Sequence, residues 1–129
     1  MNTLEEFVEK ILNENETIQS IVSGRVYSFK TQQGTHTYPM IFWEVITDAT
    51  LSDYLSGVGQ ARKAEVQVSV FTKSVSASAQ LAKIVSDVFN AASVEGNILS
   101  CYSNEIVPTY CDEDETIQYS VRIFINHKL

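Results

Sequence analysis

The residue types that most often carry chemistry are sparse and scattered in this sequence. There are two cysteines, Cys101 and Cys111, and two histidines, His36 and His127. Zinc sites usually draw their ligands from close pairs along the chain, and the sequence has no such pair. A zinc site built from Cys101, Cys111, His127 and an acid is therefore the lesser alternative. The favoured interpretation is that the cysteines pack as small hydrophobic side chains.

Nothing local marks a catalytic nucleophile or a phosphate loop. An activated thiol needs a basic neighbour or a helix N-terminus, and neither cysteine has one in its sequence surroundings. Gly57 and Gly59 form a G-x-G, but a strand pattern follows them, whereas the dinucleotide fingerprint opens a helix. The run "DEDE" at 112–115 lacks the glycine and the spaced glutamate of a calcium loop. We therefore predict a protein that is not an enzyme and needs no cofactor or metal.

Composition narrows the function classes further. The 129 residues carry a formal charge of −7, and 44% of them are hydrophobic. Of the basic residues only Arg62 and Lys63 are adjacent, so we expect no specific nucleic-acid binding, which needs clustered cations. No apolar run is long enough for a membrane span, and the acidic start "MNTLEEFVEK" does not resemble a secretion signal. A single domain over 1–129, with free thiols in a reducing cytosol, is the expectation.

Hydrophobic periodicity predicts the elements that position these residues. Residues 64–74, "AEVQVSVFTKS", alternate as a half-buried strand, and the following "SASAQLAKIVSDVFNAA" repeats at helical spacing with a serine cap. Thr3 and Glu6 form a capping box before an amphipathic first helix. A second short helix follows and ends at Gly24, the expected left-handed residue.

Two segments in the middle of the chain are unusual. The strand 38–47, "YPMIFWEVIT", is apolar on both sides, which predicts cover on both faces of the sheet there. The loop 48–60 is about a dozen residues long, a length that is uncommon in a compact domain unless the loop is functional. It is also rich in apolar residues, which makes it a candidate contact surface.

The chain closes with two alternating runs separated by "CDEDE", which predicts an antiparallel hairpin. The second run places Val121, Ile123 and Ile125 on one face and Arg122 and Asn126 on the other. The predicted fold class is α+β. It has a mostly antiparallel sheet of four to five strands, an N-terminal helix, and one long amphipathic helix packed on one face.

This order of elements, with the landmarks "SGRVYS", "YPMIFWEV", "AEVQVSVFTKSVSASAQLAKIVSDVFNA" and "QYSVRIFI", resembles the tail completion, or tail terminator, proteins of long-tailed bacteriophages. The resemblance spans nearly the whole chain. It implies a structural virion protein that caps the head-proximal end of the tail tube, ends its polymerisation and joins the tail to the head connector. It also implies a homo-oligomeric ring, with six copies expected, assembled in the host cytoplasm.

The resemblance assigns function to surfaces instead of an active site. The oligomer or tail-tube interface is then expected in the loop, at Leu51, Tyr54, Leu55 and Val58. The channel through the ring would be lined by the acids of the hairpin tip, Asp112, Glu113, Asp114 and Glu115, or by the sheet-face acids Glu65 and Glu105. An acidic lining repels DNA phosphates over about a Debye length.

Two other function classes stay open at this point. One is a small α+β ligand-binding or regulatory module with a pocket under loop 48–60, which a deep cleft at Trp43 and Tyr54 would favour. The other is an enzyme that uses Cys101 or Cys111. A close-packed sheet without a pocket would favour the structural role.

Overall fold

The computed structural model describes the backbone of residues 3–28, 37–50, 61–111 and 116–128, and the side chains of all of these except Tyr110 and Cys111. The elements in chain order are α1 (Leu4–Glu14), α2 (Glu16–Val22), β1 (Val26–Ser28), β2 (Met40–Thr50), β3 (Ala61–Thr72), α3 (Val75–Asn90), β4 (Ile98–Cys111) and β5 (Thr116–Lys128). The described strands form one sheet in the order β1-β2-β3-β5-β4. Only β1 and β2 pair in parallel, so the predicted mostly antiparallel α+β fold is confirmed.

Local signals set the helix ends. The backbone N–H of Glu6 donates to Thr3 Oγ1 at 3.2 Å, and the Glu6 carboxylate accepts from Thr3, which is the predicted capping box. Ser74 caps α3 by accepting from Ala77 N–H at 3.1 Å. At the end of α2 the first left-handed residue is Ser23, at φ 50°, and Gly24 follows at φ 81°. The left-handed stop therefore begins one residue before the predicted glycine.

The core lies between one face of the sheet and the helices. Val66, Val68 and Val70 of β3 are fully buried in the same cluster as Leu81 and Phe89 of α3. The apolar stripe of α1 and the inward residues of β5 complete this cluster. The change from strand period to helix period at residue 74 thus builds a strand and a helix that share one core, as predicted.

Two expectations for β2 are wrong. The strand continues to Thr50, three residues into the predicted loop 48–60, because those residues pair with Ala64, Lys63 and Arg62 of β3. Its two faces are also not equally covered. Ile41 and Trp43 are buried beneath the helices. On the opposite face Met40 is buried, but Phe42 and Glu44 are only partly buried.

Candidate interaction surfaces

The predicted interface residues Leu51, Tyr54, Leu55 and Val58 lie outside the described residues, and so do the predicted channel acids Asp112, Glu113, Asp114 and Glu115. The structure does describe the strands that lead into both segments. Thr50 pairs with Arg62 at the base of the first, and Cys111 pairs with Thr116 at the base of the second. The strand ends that flank the two segments are at opposite ends of the sheet, because Arg62 pairs with His127 and Thr72 pairs with Ile117.

A bulge in β2 redirects the side chains at the base of the β2–β3 hairpin. The register with β3 shifts between Val45 and Thr47, so that Asp48 lies opposite Ala64. Successive side chains of a strand point to opposite faces of the sheet. The extra residue of a bulge therefore moves every later side chain of the strand to the other face. Asp48 therefore shares the helix-covered face with Ala64 and His127.

Asp48 joins three strands through its carboxylate. Its Oδ1 lies 3.0 Å from His127 Nε2 on β5 and 3.1 Å from Arg62 Nε on β3. Arg62 also donates to the backbone oxygen of Asp48 and to Thr50 Oγ1. His127 is only 5% exposed, so its ring is held by this contact in a nearly closed environment. We call Asp48, Arg62 and His127 the strand clamp; it fixes the base from which residues 51–60 depart.

The uncovered face of the sheet has nearly balanced charge instead of being acidic. Arg122 Nη1 donates to Glu105 at 3.0 Å, and Arg122 Nε lies 3.9 Å from Glu65. Lys63 Nζ is 4.5 Å from the centre of the Phe124 ring, a cation–π distance. Each of the two sheet-face acids predicted to line a channel therefore has a cationic neighbour on its own chain. That they line a channel stays a prediction.

The two cysteines are far apart. Cys101 pairs with Ile125 near the start of β4, and Cys111 is the last residue of the same strand. Ten residues of strand span roughly 30 Å, much further than a disulfide can bridge. The Cys101 thiol is free, and its burial raises the pKa to about 12. Since the thiolate is the reactive form, Cys101 has the properties of a structural residue.

Hollows open beside α1 in the described part of the chain, and two of them border other elements. One, of about 600 Å³, separates α1 from the last turn of α3. The other, of about 510 Å³, lies between α1 and β2 beside Trp43. Volumes of this size are within the range of small-molecule sites. The second hollow contains Trp43, one of the two walls that the ligand-binding alternative expects, while the other wall, Tyr54, and residues 51–60 of the loop lie outside the described residues. We call this second hollow the β2 groove.

In the described part of the chain, no three residues among the histidines, cysteines and acids come together as metal ligands. None of the helices among these residues is long and apolar enough to cross a membrane. Sequence reasoning missed the strand clamp, because its only sequence signal, an acid and a histidine 79 residues apart, is invisible without the register.

Comparison with known proteins shows the fold alone. No family model matches the chain, and no curated protein matches its sequence. Among solved structures, the chain is similar to a chain in the virion of a native gene transfer agent particle, with a TM-score of 0.76. The similarity covers 98% of this chain and 95% of that one at 13% identity. The two chains therefore share one fold along nearly their entire lengths.

Proposed function

We propose that this protein is a structural component of a phage-like virion, and more specifically that it caps the head-proximal end of a tail tube as a ring. The observation that carries the proposal is the shared fold with a chain of a gene transfer agent virion, which extends over nearly all of both chains. The sequence landmarks that resemble tail terminator proteins support the finer role. Fold similarity alone does not transfer function, so the two lines of argument are needed together.

In this role the protein works through surfaces. Copies of the chain associate into a ring, with six copies expected. One side of the ring contacts the tail tube protein and the other contacts the head connector protein. The strand clamp holds the base of the segment 51–60, whose apolar residues Leu51, Tyr54, Leu55 and Val58 are the proposed contacts. The role needs no active site, no cofactor and no specific binding of nucleic acid. The protein would reside in the virion tail after assembly in the host cytoplasm.

Genetic removal tests the proposal. In a host that produces the particles, deletion of this chain should leave heads without tails and tubes of uncontrolled length, because nothing would stop polymerisation. Expression from a plasmid should restore joined particles of uniform tail length. Particles with normal tails in the deletion strain would contradict the proposed role.

The β2 groove favours one second candidate, a ligand-binding module. Trp43 is the single tryptophan and lines this groove, so its fluorescence reports binding there directly. The ligand-binding function would be favoured over the structural one by two results together. A small apolar molecule would change this fluorescence saturably, and the protein would be absent from particles.

A further inference from the structure

β4 forms one edge of the sheet. In the described strand order β1-β2-β3-β5-β4, this 14-residue strand pairs with β5 alone. α3 packs against one side of β4, where Ser86 Oγ lies 2.7 Å from Ser103 Oγ, but a helix does not extend a sheet. Backbone groups on the outer side of an edge strand readily pair with a further extended segment. We call the outer side of residues 99–109 the β4 edge.

The segments outside the described ranges are too short to pair with the middle of the β4 edge. Residues 51–60 leave the sheet at Thr50 and Ala61, whereas Ile106 lies level with Val68, roughly 23 Å further along β3. Ten residues that must return to the sheet extend by about 19 Å at most. Residues 29–36 reach about 16 Å, but roughly 19 Å of sheet separates β2 from a position beyond β4. Residues 112–115 join β4 to β5 itself.

Large apolar side chains flank the β4 edge on both faces of the sheet. Leu99, Tyr102 and Ile106 are 43%, 40% and 38% exposed. Tyr102 lies opposite Phe124 on the face away from the helices, and Ile106 lies opposite Val121 on the helix-covered face. A partner that covers both side chains must therefore straddle the edge, as an added strand does, because the side chains of a strand alternate between the two faces.

The β4 edge carries almost no net charge. Between residues 99 and 109 the only charged side chain is that of Glu105, and Arg122 Nη1 donates to it at 3.0 Å. The whole chain, in contrast, has a formal charge of −7. Copies of an acidic chain repel each other least where the surfaces that meet are close to neutral. The β4 edge is therefore suited to contact with a second copy of this chain.

The β4 edge also restricts how a partner can pair with it. The register with β5 shifts between Ser103 and Glu105, and the backbone N–H of Ser103 already donates to Asn90 Oδ1 at 2.7 Å. Pro108 has no N–H to donate. Natural sheets use bulges and prolines at their edges to prevent unlimited edge-to-edge association. These features favour one neighbour in a fixed position over open-ended stacking of strands.

From these observations we propose that the β4 edge is a contact between copies of this chain, where a neighbouring copy adds an extended segment that covers both Tyr102 and Ile106. The inference rests on the proposed function, to which it adds a contact surface separate from the segment 51–60. In a closed ring with two different sides, every contact uses the same pair of unlike surfaces. The β4 edge supplies one surface of that pair.

Lysine substitutions on the two sides of the edge test this inference. Tyr102→Lys and Ile106→Lys are made separately in the full chain, and sedimentation velocity measures self-association over a wide range of concentration. Each variant should associate at least about tenfold more weakly than the unaltered chain, because the contact would bury an unpaired charge. Each substitution also makes the net charge less negative, so a change in overall repulsion would act in the opposite direction.

Control variants separate the edge from the rest of the surface. Ile46→Lys changes the same residue type at a similar exposure, 43%, on a strand that lies three positions from β4 in the sheet. It should associate as the unaltered chain does, and so should Ile106→Val, which keeps the apolar surface. Circular dichroism confirms that each variant is folded, and a serine variant at the same position replaces any lysine variant that unfolds.

Several results would overturn the inference. They are no self-association of the unaltered chain, equal association of Ile106→Lys and Ile46→Lys, or a loss of association in only one of Tyr102→Lys and Ile106→Lys. The proposed function fails separately. A chain that associates through the β4 edge but is absent from tail ends contradicts that function. A chain found at tail ends whose lysine variants associate normally contradicts only the inference.

Discussion

His127 and Asp48 are 79 residues apart in the chain, yet His127 Nε2 lies 3.0 Å from Asp48 Oδ1. The contact exists because the bulge after Val45 directs Asp48 toward the helix-covered face. It ties the end of β5 to the base of the β2–β3 hairpin, next to the segment that carries the proposed interface. The strand clamp therefore couples the stability of the sheet to the position of a surface.

Removing the clamp acid should destabilise the domain. In Asp48→Ala, the nearly buried His127 loses its partner and Arg62 loses its counter-ion, which should lower the free energy of unfolding by about 1–3 kcal/mol. Urea denaturation of the purified protein measures this change. Asp87→Ala is the control, because its pair with Lys83 is exposed and should contribute less than about 0.5 kcal/mol. Equal losses in the two variants would show that the clamp has no special role.

Replacing the buried Ser78 should lower the free energy of unfolding more than replacing the neighbouring Ala77 does. The Ser78 hydroxyl bonds Thr72 Oγ1 and the backbone oxygen of Ile117, each at 2.7 Å, and so links α3 to β3 and β5. Ser78→Ala should cost about 1–2 kcal/mol of stability, because the buried partners lose their bonds. Ala77→Ser adds a hydroxyl at an exposed position and should change stability by less than about 0.5 kcal/mol. Thermal or urea unfolding of both variants provides the comparison, and a neutral Ser78→Ala would contradict the predicted link.

Cys101 should be unreactive in the folded chain. Burial raises its pKa from 9.0 to about 12, so alkylation by iodoacetamide at pH 8 should be slow in a Cys111→Ser background and become fast after unfolding. Since the folded pKa is the higher one, the associated stability is complete below pH 9 and is lost as pH rises toward 12. Cys101→Ser should therefore show a shallower loss of stability over that range. Rapid labelling of the native protein would contradict the prediction.

The loop residues are predicted to act between molecules. Tyr54→Ser with Leu55→Ser should leave the far-ultraviolet circular dichroism and the unfolding midpoint unchanged, but it should impair ring formation and tail joining. Sedimentation velocity and counts of tailed particles measure the two effects. A variant that unfolds would instead assign these side chains to the core, and unaltered assembly would remove them from any interface.

The charge of the chain predicts its behaviour toward DNA. With a formal charge of −7, the isolated protein should show no appreciable binding to duplex DNA at physiological salt. Fluorescence anisotropy of a labelled duplex measures this. If the acids 112–115 line the channel, their replacement by the matching amides should slow DNA release from particles without reducing assembly. Tight DNA binding by the unaltered chain would contradict the channel and the tail role together.

The fold was largely predictable because its signals are local. The capping box at Thr3, the alternation of Val66 to Val70 and the helical stripe around Leu81 each depend on neighbours in the sequence, and the structure confirms them. The buried face of α3 was predicted less accurately in its first turn. The helical repeat through Leu81 and Phe89 would place Ala77 inside, but Ser78 is buried instead, because its hydroxyl meets polar partners that only the assembled sheet provides.

The surfaces were much less predictable because they depend on register. The bulge after Val45 places Asp48 next to His127, and no residue pattern in β2 predicts that bulge. The groove at Trp43 depends likewise on how α1 packs across β2, which no local pattern in either element specifies. The apolar character of 38–47 suggested cover on both faces, whereas part of that apolar surface, at Ile46, borders the open groove.

The most direct test of the tail role is electron cryomicroscopy of particles from a host that encodes this chain, with the reconstruction centred on the junction of head and tail. The account predicts a ring of this chain between the last layer of the tail tube and the head connector, with the segment 51–60 at contacts between molecules. Particles in which the junction contains no copy of this chain, or in which the chain lies elsewhere in the virion, would contradict it.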